Sequence, residues 1–335
     1  MLELKDISAR VVAATSPLRI VGGDTKRRYG HVDESHERLE MAGHAGILDY
    51  HPAELVIRVR AGTRVAELID TLAKENQVLA FEPPVHGEAS TIGGVISAGL
   101  SGSRRPYAGA ARDHVLGAGV VLFDGEYREF GGQVMKNVAG YDVPRLICGA
   151  YGTLGVVADV SLKVLPAPET EVSLALELPL AEAQSLIESL TRRVSPLSAS
   201  AYSNGVLRLR LSGLESDVAG EQQSIGGEVI DNGYWRQQDA LASFQSASQI
   251  WRLSTHALAP VEHDYDLMDW GFAQRWLVDP ATAPTSSEGH WTCIGNTSPS
   301  FGSMSVLEQK LHRNLKQVFD PNGIFNPGRL GKDVA

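Results

Sequence analysis

The chain has 335 residues, of which 43% are hydrophobic, 21% charged and 7% aromatic. That is sequence for about two domains, each able to build its own core, and it is too apolar for a disordered chain. Thirty Lys and Arg against forty Asp and Glu leave a formal net charge of -10, which excludes non-specific nucleic-acid binding because phosphate neutralisation needs a basic face. The two cysteines, Cys148 and Cys293, make neither a disulfide framework nor a metal spacing and read as buried thiols of a reducing compartment. Met1 to Ser8 lacks a signal-peptide core, and no apolar run reaches the ~18 residues of a membrane span. A cytoplasmic protein is expected, touching a membrane only peripherally through partners.

In chain order, Leu18 to Val21 reads as a short strand running into Gly22-Gly23-Asp24-Thr25. Ile47 to Tyr50 and Leu55 to Val59 read as two more strands. Val65, Leu68, Ile69 and Leu72 recur at i, i+3, i+4 and i+7, which predicts a helix, with Thr63 as its N-cap. Glu82 to Gly102 is rich in Pro, Gly, Ser and Thr and reads as a long ordered loop. Val115 to Phe123 reads as a buried strand, Asp124-Gly125 as a hairpin turn, Gly131 to Asp142 as a polar loop, and Val156 to Val164 as a half-buried strand. Pro166 and Pro168 mark a boundary, giving a first domain over 1–168.

From there Val172 to Leu178, Ala181 to Val194, Ser198 to Tyr202, Val206 to Leu211, Leu214 to Ser224 and Glu228 to Asp231 alternate as β-α-β-β-α-β, with Asn204-Gly205 as a hairpin signal. This is the ferredoxin-like order, assigned to a small domain over 169–232. The remainder, 233–335, is expected to hold helices over Gln238 to Trp251 and Ser305 to Val318, the second with Leu307, Leu311, Leu315 and Val318 in register, and then two turns around Asp320-Pro321-Asn322-Gly323 and Asn326-Pro327-Gly328.

Neither a P-loop nor a strand-borne G-x-G-x-x-G occurs, which argues against the usual Rossmann site. Glycine-rich loops nevertheless recur. Val21-Gly22-Gly23-Asp24-Thr25-Lys26 can form an anion-binding nest of backbone amides, with Lys26, Arg27 and Arg28 adding positive charge. Ser90 and Thr91 stand before Gly93 and Gly94 in a second loop, Gly140, Tyr141 and Asp142 in a third, and Gly152, Leu154, Gly155 and Val157 in a fourth.

In this order the loops resemble the FAD-binding domain of the vanillyl-alcohol oxidase/p-cresol methylhydroxylase (PCMH) family. Phe319-Asp320-Pro321-Asn322-Gly323-Ile324-Phe325-Asn326-Pro327-Gly328 is similar to the C-terminal signature of its glycolate oxidase and D-lactate dehydrogenase branch. Gly99 to Pro106, Val134 to Asp142 and Asp269 to Trp276 look closest to the smaller FAD-binding subunits of bacterial glycolate oxidases. The resemblance implies an α+β chain: a two-subdomain PCMH-type FAD-binding domain with a small ferredoxin-like cap. It implies that Val21 to Lys26 wrap the pyrophosphate, that Ser90 to Gly94 and Gly140 to Asp142 line the flavin and ribityl region, that Gly152 to Val157 close over the cofactor, and that Asn326 returns near the flavin. The stretch matching the family's covalent histidine is Asp24-Thr25-Lys26, so non-covalent FAD is expected.

The resemblance further implies a subunit of a multi-component glycolate oxidase. Its partners would be a larger FAD-containing catalytic subunit and an iron–sulfur subunit, since two cysteines cannot hold a four-thiolate cluster. The ten histidines form none of the clustered motifs of the larger subunits. Two alternatives therefore stand beside this reading: a non-catalytic structural subunit, and a stand-alone FAD-linked 2-hydroxy-acid dehydrogenase. Hydroxy-acid oxidation needs an arginine on the substrate carboxylate and a base for the hydroxyl proton. Arg252, Arg275 and His290 are the candidates by position, with no metal expected.

Overall fold

The computed structural model describes residues 2–133, 140–295, 301–302 and 304–331. A helix that the sequence pattern does not signal, α1 (Leu4–Ala13), opens the chain and buries Ile7 and Val11. β1 (Leu18–Val21) pairs in parallel with β2 (Glu37–Glu40). β3 (Ile47–His51) and β4 (Val56–Arg60) follow, and then α2 (Val65–Ala73), which buries Val65, Leu68 and Leu72 and leaves Ile69 exposed. Thr63 is not the cap of α2, whose N-cap is Arg64. The Thr63 hydroxyl instead accepts the Gly46 N–H at 2.9 Å and donates to the Gly46 carbonyl at 3.2 Å, which holds two loops together.

After β5 (Gln77–Val78), the stretch read as a long loop contains α3 (Ile92–Ala98). Two adjacent glycines depress its intrinsic helix propensity. Burial of Ile92, Val95 and Ile96, the Thr91 hydroxyl accepting the Gly94 N–H, and Gly99 at φ 65° hold and end it. Next come α4 (Arg105–Ala108), α5 (Ala111–His114), β6 (Val115–Val121), β7 (Tyr127–Gly131), α6 (Val143–Ile147), β8 (Val156–Lys163) and β9 (Leu165–Pro166). The strands form a five-stranded antiparallel sheet in the order β3-β4-β8-β6-β7. β8 is its central strand and is buried on both faces, not one. Its polar Asp159 is buried because Arg58 and Tyr127 each reach it at 2.7 Å.

β10 (Thr170–Glu177), α7 (Leu180–Thr191), β11 (Leu197–Ser203), β12 (Val206–Gly213), α8 (Glu215–Ile225) and β13 (Glu228–Ile230) form the ferredoxin-like unit, with strand order β13-β10-β12-β11. Asn204 and Gly205 turn the β11–β12 hairpin at φ 52° and 76°. The sheet does not stop there. After α9 (Gly233–Asp239), β14 (Gln249–Ser254), β15 (Leu267–Asp269), β16 (Gln274–Val278) and β17 (His290–Gly295) extend it to eight antiparallel strands, ordered β13-β10-β12-β11-β15-β16-β14-β17. The helix expected over 238–251 is thus corrected: it ends at Asp239, and Trp251 lies in β14. The Ala/Gln/Ser composition favours a helix, but pairing with both neighbours and burial of Ile250 and Leu253 decide for a strand.

α10 (Val306–Phe319) starts on a capping box between Ser305 and Glu308. At the junction of the two sheets, Glu82 binds Arg104 and Arg210, Arg104 binds Glu171, the Ser103 hydroxyl donates to Asp239, and the Trp270 indole donates to the Gly102 carbonyl.

Candidate functional site: an electropositive cradle under an arginine-bearing sheet

β1 delivers its last residue, Val21, into a cleft lined by Gly22, Gly23, Asp24, Thr25 and Lys26 on one side. Thr91, Gly94 and Ser97 of the α3 region, Tyr151 and Asn326 line the other. Gly93, Gly152, Gly155 and Val157 line its floor. The approach is so close that a Cβ on Gly22 would lie 2.3 Å from the Thr91 hydroxyl, and one on Gly23 would lie 1.6 Å from the Ala89 carbonyl. Only glycine lets the turn sit against this segment. Among the described residues, the amides of Gly22, Gly23, Asp24 and Thr25 form no hydrogen bond, and Asp24 has φ 54°. Successive free amides around a left-handed residue make an anion-binding concavity.

The charges favour an anion as well. The buried Arg19 binds both Asp24 carboxylate oxygens at 2.7 Å and Glu34 at 2.9 Å, so the carboxylate nearest the cradle is neutralised. Lys26 is buried, and that burial pulls its pKa down to about 8. Arg329, lowered to about 10 by burial, lines the same cleft and donates to the Lys26 carbonyl at 3.0 Å. Cations held out of water without a matching anion are costly, and a diphosphate placed here would relieve that cost. The donor set therefore fits the pyrophosphate of FAD.

Asn326 acts on the cradle through other residues. Its side chain accepts the Ile20 N–H at 2.8 Å and donates to the Tyr151 carbonyl at 2.7 Å, which ties β1 to the 149–155 turn. Lys316 holds the same corner by donating to the carbonyls of Thr153 and Phe325 and to Asp320. Ser90 is buried behind the cradle, with its hydroxyl 3.0 Å from that of Thr25, and Leu154 is buried in the 149–155 turn. Gly140, Tyr141 and Asp142 are not brought to the cleft: Tyr141 is exposed, and Asp142 caps α6 by accepting the Arg145 N–H. The preceding Val134 to Ala139 lie outside the described residues. The sequence reading did not single out Arg19, Tyr151 or Arg329 as cleft residues; an isolated arginine or tyrosine carries no spacing signal.

The cap sheet meets the cradle through β17: Ile294 bridges to Tyr29, and the Gly295 N–H donates to the Arg28 carbonyl. Arg252, on the neighbouring β14, is half-buried. Its buried Nε has no hydrogen-bond partner, and its charge bears on Tyr29, Tyr151, Arg105, Asp269 and His290. His290 is exposed at the start of β17; partial desolvation, with Arg252 adding to it, lowers its pKa, whereas full burial pushes Asp269 up to about 7. Arg275 is different. It is fully buried, and its guanidinium donates to the carbonyls of Phe272, Pro260 and Ala259. Three of its five N–H donors are taken by these carbonyls and none of the side chain reaches the surface, so it is a structural strut out of a substrate's reach.

A family model described as an FAD binding domain matches residues 2–131, and one described as the C-terminal domain of FAD linked oxidases matches residues 303–330. The glycolate oxidase subunit GlcE of Escherichia coli K12 is 38% identical over 331 residues, spanning 96% of this chain and 94% of that protein. This chain belongs to the GlcE family of glycolate oxidase subunits. It is an FAD-linked oxidoreductase chain, and FAD is its cofactor. The glycolate oxidase subunit GlcD of Bacillus subtilis is 39% identical over 129 residues, but those span 38% of this chain and only 27% of that protein. The family thus shares one domain with the larger relative and not its whole length. Solved structures of alkyldihydroxyacetonephosphate synthase share the fold, with a TM-score of 0.67 over 97% of this chain and 73% of theirs at 14% identity. No helix among the described residues is long and apolar enough to cross a membrane.

Proposed function

We propose that this chain is the smaller FAD-bearing subunit of a multi-component glycolate oxidase that converts glycolate to glyoxylate. Its partners would be a larger FAD-containing subunit and an iron–sulfur subunit that accepts the electrons. The observation that carries this reading is the run of four unbonded amides in the glycine turn, inside a cationic cleft, in a chain related to a glycolate oxidase subunit along nearly its whole length. In this reading residues 1–168 and the C-terminal return hold FAD, while 169–232 and the strands after them form the cover. Val21 to Lys26 receive the pyrophosphate, with Ser90, Thr91, Gly93, Gly94, Gly152, Leu154, Gly155, Val157 and Asn326 shaping the cleft. The complex works in the cytoplasm, at a membrane only through its partners.

Bound FAD supplies the two-electron acceptor. Arg252 forms no close ion pair among the described residues, and its charge is felt by Tyr29 and Tyr151 beside the cradle as well as by Asp269. It anchors the carboxylate of a small 2-hydroxy acid. His290, exposed at the start of β17 and with its pKa lowered by partial desolvation and by Arg252, accepts the hydroxyl proton.

The test is to purify the chain, record its visible spectrum before and after denaturation, and then add glycolate anaerobically with and without co-purified partner subunits. Released flavin together with glycolate bleaching is expected. A chain that takes up FAD and never bleaches in any combination fits the structural-subunit alternative and overturns the catalytic roles.

A further inference from the structure

The C-terminal helix α10 is packed inside out. The residues on its inner side are Gln309, His312, Leu315, Lys316 and Phe319, of which Leu315 and Phe319 are half-buried and the one fully buried residue is a lysine. At 100° per residue, Leu307, Leu311, Asn314 and Val318 lie on the opposite side, and all four are exposed. Leu307 is 65%, Leu311 53% and Val318 70% accessible, beside Val306 at 80%. An amphipathic helix normally turns its apolar stripe to its own core. Here the apolar stripe faces away from the core, and the helix is held rigidly by other means. Lys316 is bonded to Thr153, Asp320 and Phe325, and Asp320 accepts the amides of Ile324 and Phe325. The stripe is a fixed surface feature, not a frayed end.

The charges beside the stripe select what would cover it. Glu308 is engaged in the N-terminal capping box. Lys310 and Arg313 are exposed and form no ion pair among the described residues, in a chain whose net charge is -10. The helix thus offers an apolar stripe edged by two free cations. Two such helices could pair, but a face about 21 Å long and about 10 Å wide falls far short of the ~800 Å² per partner that a stable interface buries. A groove that takes in the stripe together with the flanking Lys310 and Arg313 buries more than a second helix laid against it. The inner side of the same helix touches Thr153 and Phe325 at the edge of the cofactor cleft, so anything seated on the outer side lies about one helix diameter, ~10 Å, from that edge.

We infer that α10 is the docking helix for the electron-accepting partner subunit, which receives Leu307, Leu311 and Val318 in an apolar groove rimmed by carboxylates that meet Lys310 and Arg313. The inference rests on the multi-subunit reading above and adds to it the face and the chemistry of contact.

The experiment measures binding of the FAD-loaded full chain to the purified iron–sulfur subunit, and separately to the larger FAD-containing subunit, at two salt concentrations. The Leu307→Glu/Leu311→Glu double variant is expected to weaken binding to the iron–sulfur subunit at least tenfold, with flavin content and melting temperature unchanged. Lys310→Glu/Arg313→Glu is expected to weaken it less and to reduce its salt dependence. Val194→Glu, on a fully exposed apolar residue just beyond α7, is expected to leave it intact. Unchanged binding by the leucine variant overturns the inference. So does a loss confined to the larger subunit, a wild-type self-dimer in sedimentation that the variant abolishes, or vesicle binding at 30% anionic phospholipid that the variant abolishes. If the FAD-loaded wild type binds neither subunit, the multi-subunit reading falls first and the inference with it.

Discussion

The cradle and the cap sheet assemble their chemistry in opposite ways. In the cradle, the reactive groups are backbone amides, and the side chains clear space for them: Gly22 and Gly23 sit where any Cβ would meet Thr91 or Ala89. In the cap, function hangs on which long side chain remains without a partner. Arg252 and Arg275 occupy adjacent paired strands, with Arg252 opposite Trp276 and Leu253 opposite Arg275. Alternation sends them to opposite faces of the sheet. One acts with its charge on Tyr29 and Tyr151 and has its buried Nε unpaired, and the other is fully buried and tied to three carbonyls. A glycine-built site can be read from punctuation in the chain; an arginine-built site can be read only from what the arginine fails to meet.

The sharpest way to break this contrast is at the cradle. Gly23→Ala would force a Cβ to 1.6 Å from a backbone oxygen that cannot move freely. Loss of bound FAD or of soluble protein is expected, read by flavin absorbance and circular dichroism; a stable yellow variant would refute the close-approach argument. In the cap, Arg275→Met should lower stability by about 3 kcal/mol, because buried carbonyls lose their donors, and chemical denaturation measures it. Arg252→Met should instead keep the melting temperature and lower glycolate kcat/KM about 100-fold, the equivalent of two charge-assisted hydrogen bonds. If the two variants exchange phenotypes, the roles assigned to the two arginines are reversed.

The pH dependence sharpens the cradle. Lys26, lowered to about 8 by burial, carries its charge below that pH and loses it above. FAD affinity should therefore be full near pH 7 and fall as pH rises from 8, by up to about tenfold per unit. Titrations at several pH values check this, and Lys26→Met should bind more weakly with a flat profile between pH 7 and 9. The smallest expected effect is Thr91→Ala. It removes the cap of α3 and should cost about 1 kcal/mol, with weakened FAD binding as the sign that α3 positions the cleft.

Much of the fold was legible for local reasons. The 3.6-residue period of Val65, Leu68 and Leu72 marks α2, Asn204-Gly205 marks its hairpin, and the β-α-β-β-α-β order marks the ferredoxin-like unit. Where the reading fails, a long-range contact outweighs a local preference. α3 carries two glycines and forms because its apolar residues are buried. Gln249 to Ser254 is a strand because β16 and β17 flank it. β8 alternates in polarity yet is buried on both faces because Arg58 and Tyr127 satisfy Asp159.

By itself, the sequence determined the glycine turn that can nest an anion and the lack of cysteines for a cluster within this chain, while the cofactor class came from the resemblance its loops carry. The first two depend on residue types whose backbone freedom or chemistry no context replaces. Tertiary structure alone decided that Arg252 is available and Arg275 is not, that Tyr141 lies away from the cleft, and that α10 turns Leu307 and Leu311 to solvent. Each of those is a question of which partner reaches a side chain across distant segments, and burial and hydrogen bonding settle it only once the whole chain has packed.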